Sequence, residues 1–216
     1  MTKEFWKNWF ESQEEWFYDN YRRKYAIRDA LEKIDNLVDD LGVASGCSKL
    51  CIIDHESGFV LKWSTDLNYN EMAKEYRYYQ KAVECGIECF FPKTEILTEV
   101  NGITIFVQEK VDTLLDNMNY RKRETLRKKH QKTVTEDFVR KVRHDFYSSP
   151  AFDWVVVAIS IYGKNRVKEL CKFTKEHKIN DLHDANVGFN GNYPVILDFS
   201  GYHQNSDSDS DCESSW

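Results

Sequence analysis

The spacing of hydrophobic residues changes several times along this chain, and each change predicts an element. Between residues 5 and 34, Phe5, Trp9, Trp16, Tyr21, Ala26 and Leu31 stand among charged neighbours, which predicts one or two amphipathic helices. Their apolar face is expected on the domain behind it or against a partner. From Leu37 the period shortens. "LVDDLGV", "SKLCIID" and "GFVLKW" are β-type runs separated by "ASG" and "DHESG", giving three antiparallel strands. "NYNEMAKEYRYYQKAVECG" predicts a helix closing on Gly86, and "EILTEVNGITIFVQEK" a hairpin with Asn101-Gly102 at its tip.

Residues 113 to 177 read as helical, with a basic stretch "RKRETLRKKHQK" and a long apolar segment "FDWVVVAISIYGKNRVKELCKFTKEH". Then come "INDLHDANVGF" and a second pair of short strands about the turn "NGN" in "ANVGFNGNYPVILDFSG". The end, "NSDSDSDCESSW", has too little apolar content to fold. The expected organisation is an α+β chain: a helical extension at 1–36, a sheet-bearing part at 37–111, a mainly helical part at 112–204 and a disordered acidic tail at 205–216.

Composition narrows the function classes. With 216 residues, 41% of them hydrophobic, the chain can fill a real core. A net charge of −6 and a pI near 5.6 argue against broad binding to nucleic acid or anionic membrane, because such binding rests on clustered cations. The six cysteines, at 47, 51, 85, 89, 171 and 212, fit neither a zinc-ligand pattern nor a dense disulfide framework and are expected to be reduced core thiols. "MTKEFWKNWFESQEEW" is acidic and aromatic, unlike an export signal, and no stretch approaches the ~20 apolar residues that span a bilayer. The expectation is a soluble, cytoplasmic protein whose partners are small molecules or proteins.

The chemistry concentrates near the end. Asp181 and Asn186 are five residues apart, so one loop can offer a carboxylate to a nucleophile and an amide oxygen to a metal. Asp198 lies twelve residues beyond Asn186, and a hairpin through Gly191 would return it beside Asn186. Two oxygen ligands on adjacent segments suit Mg²⁺, which completes its shell with phosphate and water. Phosphoryl transfer from ATP asks for such parts together with a cover over the phosphates and a fixed lysine.

"DLHDAN" followed by "VILDFSG" resembles the catalytic and metal-binding loops of the protein-kinase-like superfamily, in the Asp-Leu-His-x-x-Asn version found in aminoglycoside and choline phosphotransferases and atypical bacterial kinases. The resemblance covers roughly residues 37 to 203. It implies a bilobal fold with an antiparallel five-stranded N-lobe carrying one helix and a reduced, mainly helical C-lobe. It also implies ATP and Mg²⁺ as cofactors, Asp181 as catalytic base, and Asn186 and Asp198 as metal ligands. "FVLKW" is similar to the strand that carries the ATP-contacting lysine, here Lys62. Glu71 and Glu75 could each pair with it, and "EYRYY" favours Glu75. "GVASGCSKL" resembles the phosphate-covering loop, aligning Gly42, Ala44 and Cys47 with its three glycines and placing Ser45 and Gly46 between them. "FVQEKVD" resembles the hinge, where Glu109 to Val111 would offer backbone groups to adenine.

The match departs from protein kinases in two places. Ile179-Asn180 stand where a His-Arg pair precedes the catalytic aspartate, and only residues 199–216 follow Asp198, with no Ala-Pro-Glu motif. The leading expectation is a kinase transferring phosphate to a hydroxyl of a protein or of itself, the serines at 206, 208, 210, 214 and 215 being candidate acceptors. The alternatives are a nucleotide-binding pseudokinase acting as a scaffold and a small-molecule kinase of the aminoglycoside type. The basic run from Arg121 to Lys132 is expected to be a solvated helix face or a surface for an acidic substrate or partner.

Overall fold

A computed structural model describes residues 1–34, 41–46, 48–66, 70–114 and 117–199, with the backbone alone for 117–122. Residues 37–40 of the first expected strand, Cys47 of the expected phosphate loop, Cys212 and the serine-acid tail lie outside the described residues. The chain is α+β and divides into two compact units. The first comprises Met1–Tyr76 and Lys93–Lys110, the second Arg77–Pro92 and Val111–Gln204.

The first unit is built on a five-stranded antiparallel sheet in the order β1-β2-β3-β5-β4, from β1 (Leu41–Ser45), β2 (Lys49–Asp54), β3 (Phe59–Ser64), β4 (Thr94–Val100) and β5 (Ile103–Glu109). The link between β4 and β5 is Asn101-Gly102, both at positive φ (48° and 78°), as a two-residue hairpin turn requires. A register shift between Ile96 and Thr98 breaks the ladder of these two strands, and nothing in the alternation of the sequence foretells it. Helix α4 (Glu71–Glu84) follows β3 and ends ahead of Gly86, whose φ of 69° suits glycine.

Three N-terminal helices, α1 (Lys3–Ser12), α2 (Glu14–Asn20) and α3 (Lys24–Leu31), belong to this same unit. The Thr2 hydroxyl caps α1 by accepting from the Phe5 amide. Trp6, Trp9, Phe10, Phe17, Tyr21, Ile27 and Leu31 are buried with Leu50, Ile52, Leu61, Trp63, Ile105 and Val107 in one cluster. The three helices, expected to lie on the domain behind them, therefore supply about half of the buried residues in this cluster. Trp63 meets Phe10 and Phe17 edge to face at ring separations of 5.8 and 5.3 Å, and its indole N–H donates to the Tyr21 carbonyl.

The second unit centres on α7 (Phe152–Tyr162), where six consecutive residues, Trp154 to Ile159, are buried, so the helix is enclosed on all sides. Around it pack α5 (Asn117–His130), α6 (Glu136–Asp145), α8 (Lys164–Glu176) and a small sheet in the order β6-β7-β8, made of β6 (Asp112–Thr113), β7 (Val187–Asn190) and β8 (Tyr193–Ile196). The apolar segment from 152 to 177 is two helices rather than one, divided at Gly163 with φ 86°. The Trp154 indole N–H bonds the carbonyls of Gly188 and Val195, fastening both strands of the β7–β8 hairpin to α7.

Among the described residues no helix is long and apolar enough to cross a membrane. Cys51, Cys85, Cys89 and Cys171 are free thiols. Cys171 fits the expected core role, and burial raises its pKa to about 12. Cys85 departs from that role, because its place on α4 is exposed.

Two consequences can be measured. A Cβ on Gly188 would lie 2.3 Å from the Asp112 carbonyl oxygen, a backbone atom that cannot swing aside. Gly188→Ala should therefore cost about 3 kcal/mol, read as a fall of roughly 10 °C in melting temperature. The second concerns acid. Hydrogen bonds from Lys3 and Lys93 hold the Glu95 pKa at about 2, well below its ordinary 4.5. At Asp54 burial pushes the pKa up, but bonds from Ser57, the Trp6 indole and the Met1 amine prevail and lower it. Depressed carboxylate pKa values contribute stability that is complete above the unfolded values and is lost as pH falls through the folded ones. Tryptophan fluorescence should thus report weakening of α1 on the sheet between about pH 4.5 and 2, and Glu95→Gln should remove part of that pH dependence.

Candidate functional site

The expected site residues form two sets, one in each unit, and each is held by its own local logic. In the first unit, period two along β3 sends Leu61 and Trp63 into the aromatic core and leaves Lys62 on the opposite sheet face. Lys62 pairs in register with Cys51 of β2 and Phe106 of β5, a central position on the sheet. The same face carries Lys49 of β2 and Gln108 of β5, and the first turns of α4 cover it.

Glu75 of α4 is fully buried on this face. Its Oε1 accepts from Gln108 Nε2 at 2.9 Å and lies 3.6 Å from Lys62 Nζ, and its Oε2 accepts from Lys49 Nζ at 3.0 Å. Gln108 also donates to the Thr94 hydroxyl at 3.0 Å. Of the two candidate acids, Glu75 lies 3.6 Å from Lys62, and Glu71 accepts a hydrogen bond from the Ser48 hydroxyl. Desolvating a carboxylate is costly unless cations and donors surround it, and Glu75 has two lysines and an amide. Lys49, Gln108 and Thr94 were not singled out from the sequence. The alternation in "SKLCIID" does set Lys49 opposite to Leu50 and Ile52. Its meeting with Glu75 depends on strand register, which the local pattern does not contain.

The remaining first-unit residues are placed as follows. Gly42, Ala44 and Ser45 lie in edge strand β1, paired with Ile53, Cys51 and Leu50. Gly46, which follows β1, donates its N–H to the Lys49 carbonyl at the start of β2. Glu109 ends β5 with its N–H on the Lys93 carbonyl, and the Lys110 N–H goes to the Gly58 carbonyl. These two hinge amides therefore hold the first unit together, and Val111, grouped with the second unit, is the remaining member of the expected hinge.

In the second unit the loop after α8 brings Asp181 and Asn186 together. Asn186 Nδ2 donates to Asp181 Oδ2 at 2.8 Å and to the Asp181 carbonyl at 3.0 Å, which leaves the amide oxygen as the acceptor end of that side chain. His183 lies against both residues, its Nε2 3.3 Å from Asp181 Oδ1 and 3.2 Å from Asn186 Nδ2, while its Nδ1 accepts from the Ala185 amide. The β7–β8 hairpin turns at Gly191 (φ 61°) and pairs Val187 with Ile196. The ladder continues with the Leu197 N–H on the Asn186 carbonyl at 2.8 Å, so Asp198 is delivered next to Asn186 as expected. Phe199 is fully buried against Phe91, at a ring separation of 4.7 Å, which anchors the backbone on the far side of Asp198.

The loop is also tied down from α5. Arg123 reaches Asp153 of α7 at 2.9 Å and Asp184 of the loop at 3.2 Å, and Arg127 lies 3.4 Å from Asp153. The Leu114 N–H adds bonds to the carbonyls of Asp184 and Val187. Part of the basic run is therefore an internal clamp rather than a solvated face, whereas Lys128 pairs with Glu124 one turn away at the surface. No protein-family model, curated protein or solved structure matches this chain.

Among the described residues no group of three or more His, Cys, Asp or Glu side chains converges as a metal cage. Asn186 and Asp198 could offer one amide oxygen and one carboxylate, the kind of hard oxygens that Mg²⁺ takes together with phosphate and water. Arg123→Ala would leave Asp153 and Asp184 without their shared guanidinium. Because these groups are partly solvated, the expected cost is about 2 kcal/mol, measurable by chemical denaturation, with Arg123→Lys recovering only part because a single ammonium cannot span both carboxylates.

Proposed function

We propose that this chain is an ATP- and Mg²⁺-dependent phosphotransferase of protein-kinase-like, bilobal architecture, acting on a hydroxyl of a protein or of the chain itself. The observation that carries the reading is the double engagement of Asn186: its side-chain amide bonds Asp181, and its carbonyl takes the amide next to Asp198. One residue thus couples a carboxylate able to accept a proton to a pair of oxygen ligands. The pairing of Lys62 with Glu75 supports it from the first unit, and the strand order β1-β2-β3-β5-β4 with α4 between β3 and β4 agrees with the N-lobe that the sequence resemblance implies.

Each residue then has a task. Lys62 holds the α- and β-phosphates, and Glu75 keeps Lys62 from collapsing to other positions. Asn186 Oδ1 and the Asp198 carboxylate would hold Mg²⁺, which when bound would supply neutralisation of charge on the phosphate oxygens. Asp181 orients the acceptor hydroxyl and takes its proton as the hydroxyl oxygen bonds the γ-phosphorus. The bond between that phosphorus and the β,γ-bridging oxygen breaks, and ADP departs with the electron pair. Asn186, by donating to Asp181, fixes the direction of the carboxylate, and His183 packs against its other oxygen.

The reading is tested by nucleotide binding and by phosphate transfer, measured separately. Millimolar Mg²⁺-ATP should raise the melting temperature of the purified protein by mass action, and Lys62→Ala and Asp198→Ala should each diminish that shift. Asp181→Asn keeps an oxygen able to accept from Asn186 and should preserve the shift, while transfer of labelled γ-phosphate falls about a hundredfold or more. An unchanged melting curve in folded wild-type protein would overturn the nucleotide site. Binding without turnover in the wild type would instead assign the chain to the scaffold class.

A further inference from the structure

The buried carboxylate of Glu75 is not principally the partner of Lys62. Its shortest contacts are from Lys49 at 3.0 Å on Oε2 and from Gln108 at 2.9 Å on Oε1, whereas Lys62 stands 3.6 Å away. The first two are hydrogen bonds by length, and the third is beyond an ordinary N–H···O bond and acts through charge alone. Lys49 is itself 9% exposed, and Gln108 Nε2 donates to the Thr94 hydroxyl as well as to Glu75, so both partners are held by the sheet. Lys49 lies opposite Ser64 and Lys62 opposite Cys51, two residues along β3, which sets the two ammonium groups on one face with the carboxylate shared between them.

We propose that Lys49 is a positioning residue: with Gln108 it holds Glu75, so that Lys62 can give its hydrogen bonds to nucleotide phosphates without stranding a buried carboxylate. The proposal rests on the nucleotide reading of Lys62 given above. Its physical basis is the asymmetry of buried charge, since removing the only cation from a desolvated carboxylate costs far more than removing one of two. With a single lysine, each movement of Lys62 toward phosphate would weaken the contact that orients it. With Lys49 in place, Oε2 keeps its hydrogen bond while Lys62 moves.

The test has two arms. Without nucleotide, Lys49→Met should lower the melting temperature by several degrees and by more than Lys62→Met does, and adding Glu75→Gln to Lys49→Met should recover most of the loss. In Mg²⁺-ATP titrations, Lys49→Met should weaken binding about tenfold, because Lys62 is drawn onto Glu75. Lys49→Arg, which keeps a cation beside Oε2, should rescue both readouts in part. If Lys49→Met does not fold, Lys49→Gln, which retains a donor toward Oε2, replaces it in both arms. A melting order with Lys62→Met the more damaging would overturn the proposal, and so would nucleotide affinity left unchanged by Lys49→Met. Absence of nucleotide binding in the wild type overturns the nucleotide reading instead, while the melting order still decides whether Lys49 holds Glu75.

Discussion

Side chains of a β-strand alternate, so whatever buries Leu61 and Trp63 also decides where Lys62 points. In this protein the burial comes from α1 to α3, whose Trp6, Phe10 and Phe17 close over the sheet with Trp63 among them. A slip of one residue in β3 would exchange Trp63 for Lys62 in an aromatic layer that cannot solvate an ammonium group. The N-terminal helices therefore act on the candidate chemistry without touching it, by making the register of β2, β3 and β5 costly to change. The Trp63 indole bond to Tyr21 and the Trp6 indole bond to Asp54 reinforce the same registration from the helical side.

The opposite sheet face follows the reverse economy. It buries a carboxylate, and a carboxylate with no exposure has to be surrounded by cations and donors before it can contribute anything. Glu75 meets this through three different strands: Lys49 from β2, Lys62 from β3 and Gln108 from β5. The result joins α4 to the middle of the sheet by polar contacts, with Tyr76 resting on Phe106 beside them at a ring separation of 5.5 Å. Removing any one partner is thus an electrostatic change at the others, which is why single substitutions here are expected to be non-additive.

Much of this was legible in the sequence, and what was missed shares one cause. Signals that act within a few residues read correctly: Asn101-Gly102 as a hairpin tip, Gly86 past the end of α4, the return of Asp198 to Asn186 through Gly191. The choice of Glu75 over Glu71 also agrees with the distance to Lys62. Features that depend on which elements meet were not legible. Lys49 finds Glu75 only because β2 and β3 pair in one register, and Arg123 is a clamp rather than a solvated cation only because α5 lies on α7. The N-terminal helices were expected on the domain behind them and do pack on the sheet, but amphipathicity alone did not say which strands they would cover. The bonds of the Gly46 and Glu109 amides to the Lys49 and Lys93 carbonyls could not be read either, because backbone partners leave no mark in residue type.

The second unit reaches a fixed loop by a different route from the first. The segment from Asp181 to Asn186 contains no strand or helix of its own, and such a loop is ordinarily free to sample many conformations. Here its ends are taken by rigid neighbours. Ile179 is fully buried and its N–H bonds the Thr174 carbonyl at the end of α8, while Val187 enters β7 under the Trp154 indole. Between them, Asp184 is held by Arg123 and by the Leu114 amide, and Leu182 is buried. With both flanks and the middle fixed, Asp181, His183 and Asn186 are left to arrange themselves around one another, and the hydrogen bonds among them carry little of the cost of ordering the backbone. That division explains why the loop can place three polar side chains together near the surface: the entropy of ordering is offset by buried neighbours, and the polar groups keep the direction that their mutual hydrogen bonds give them.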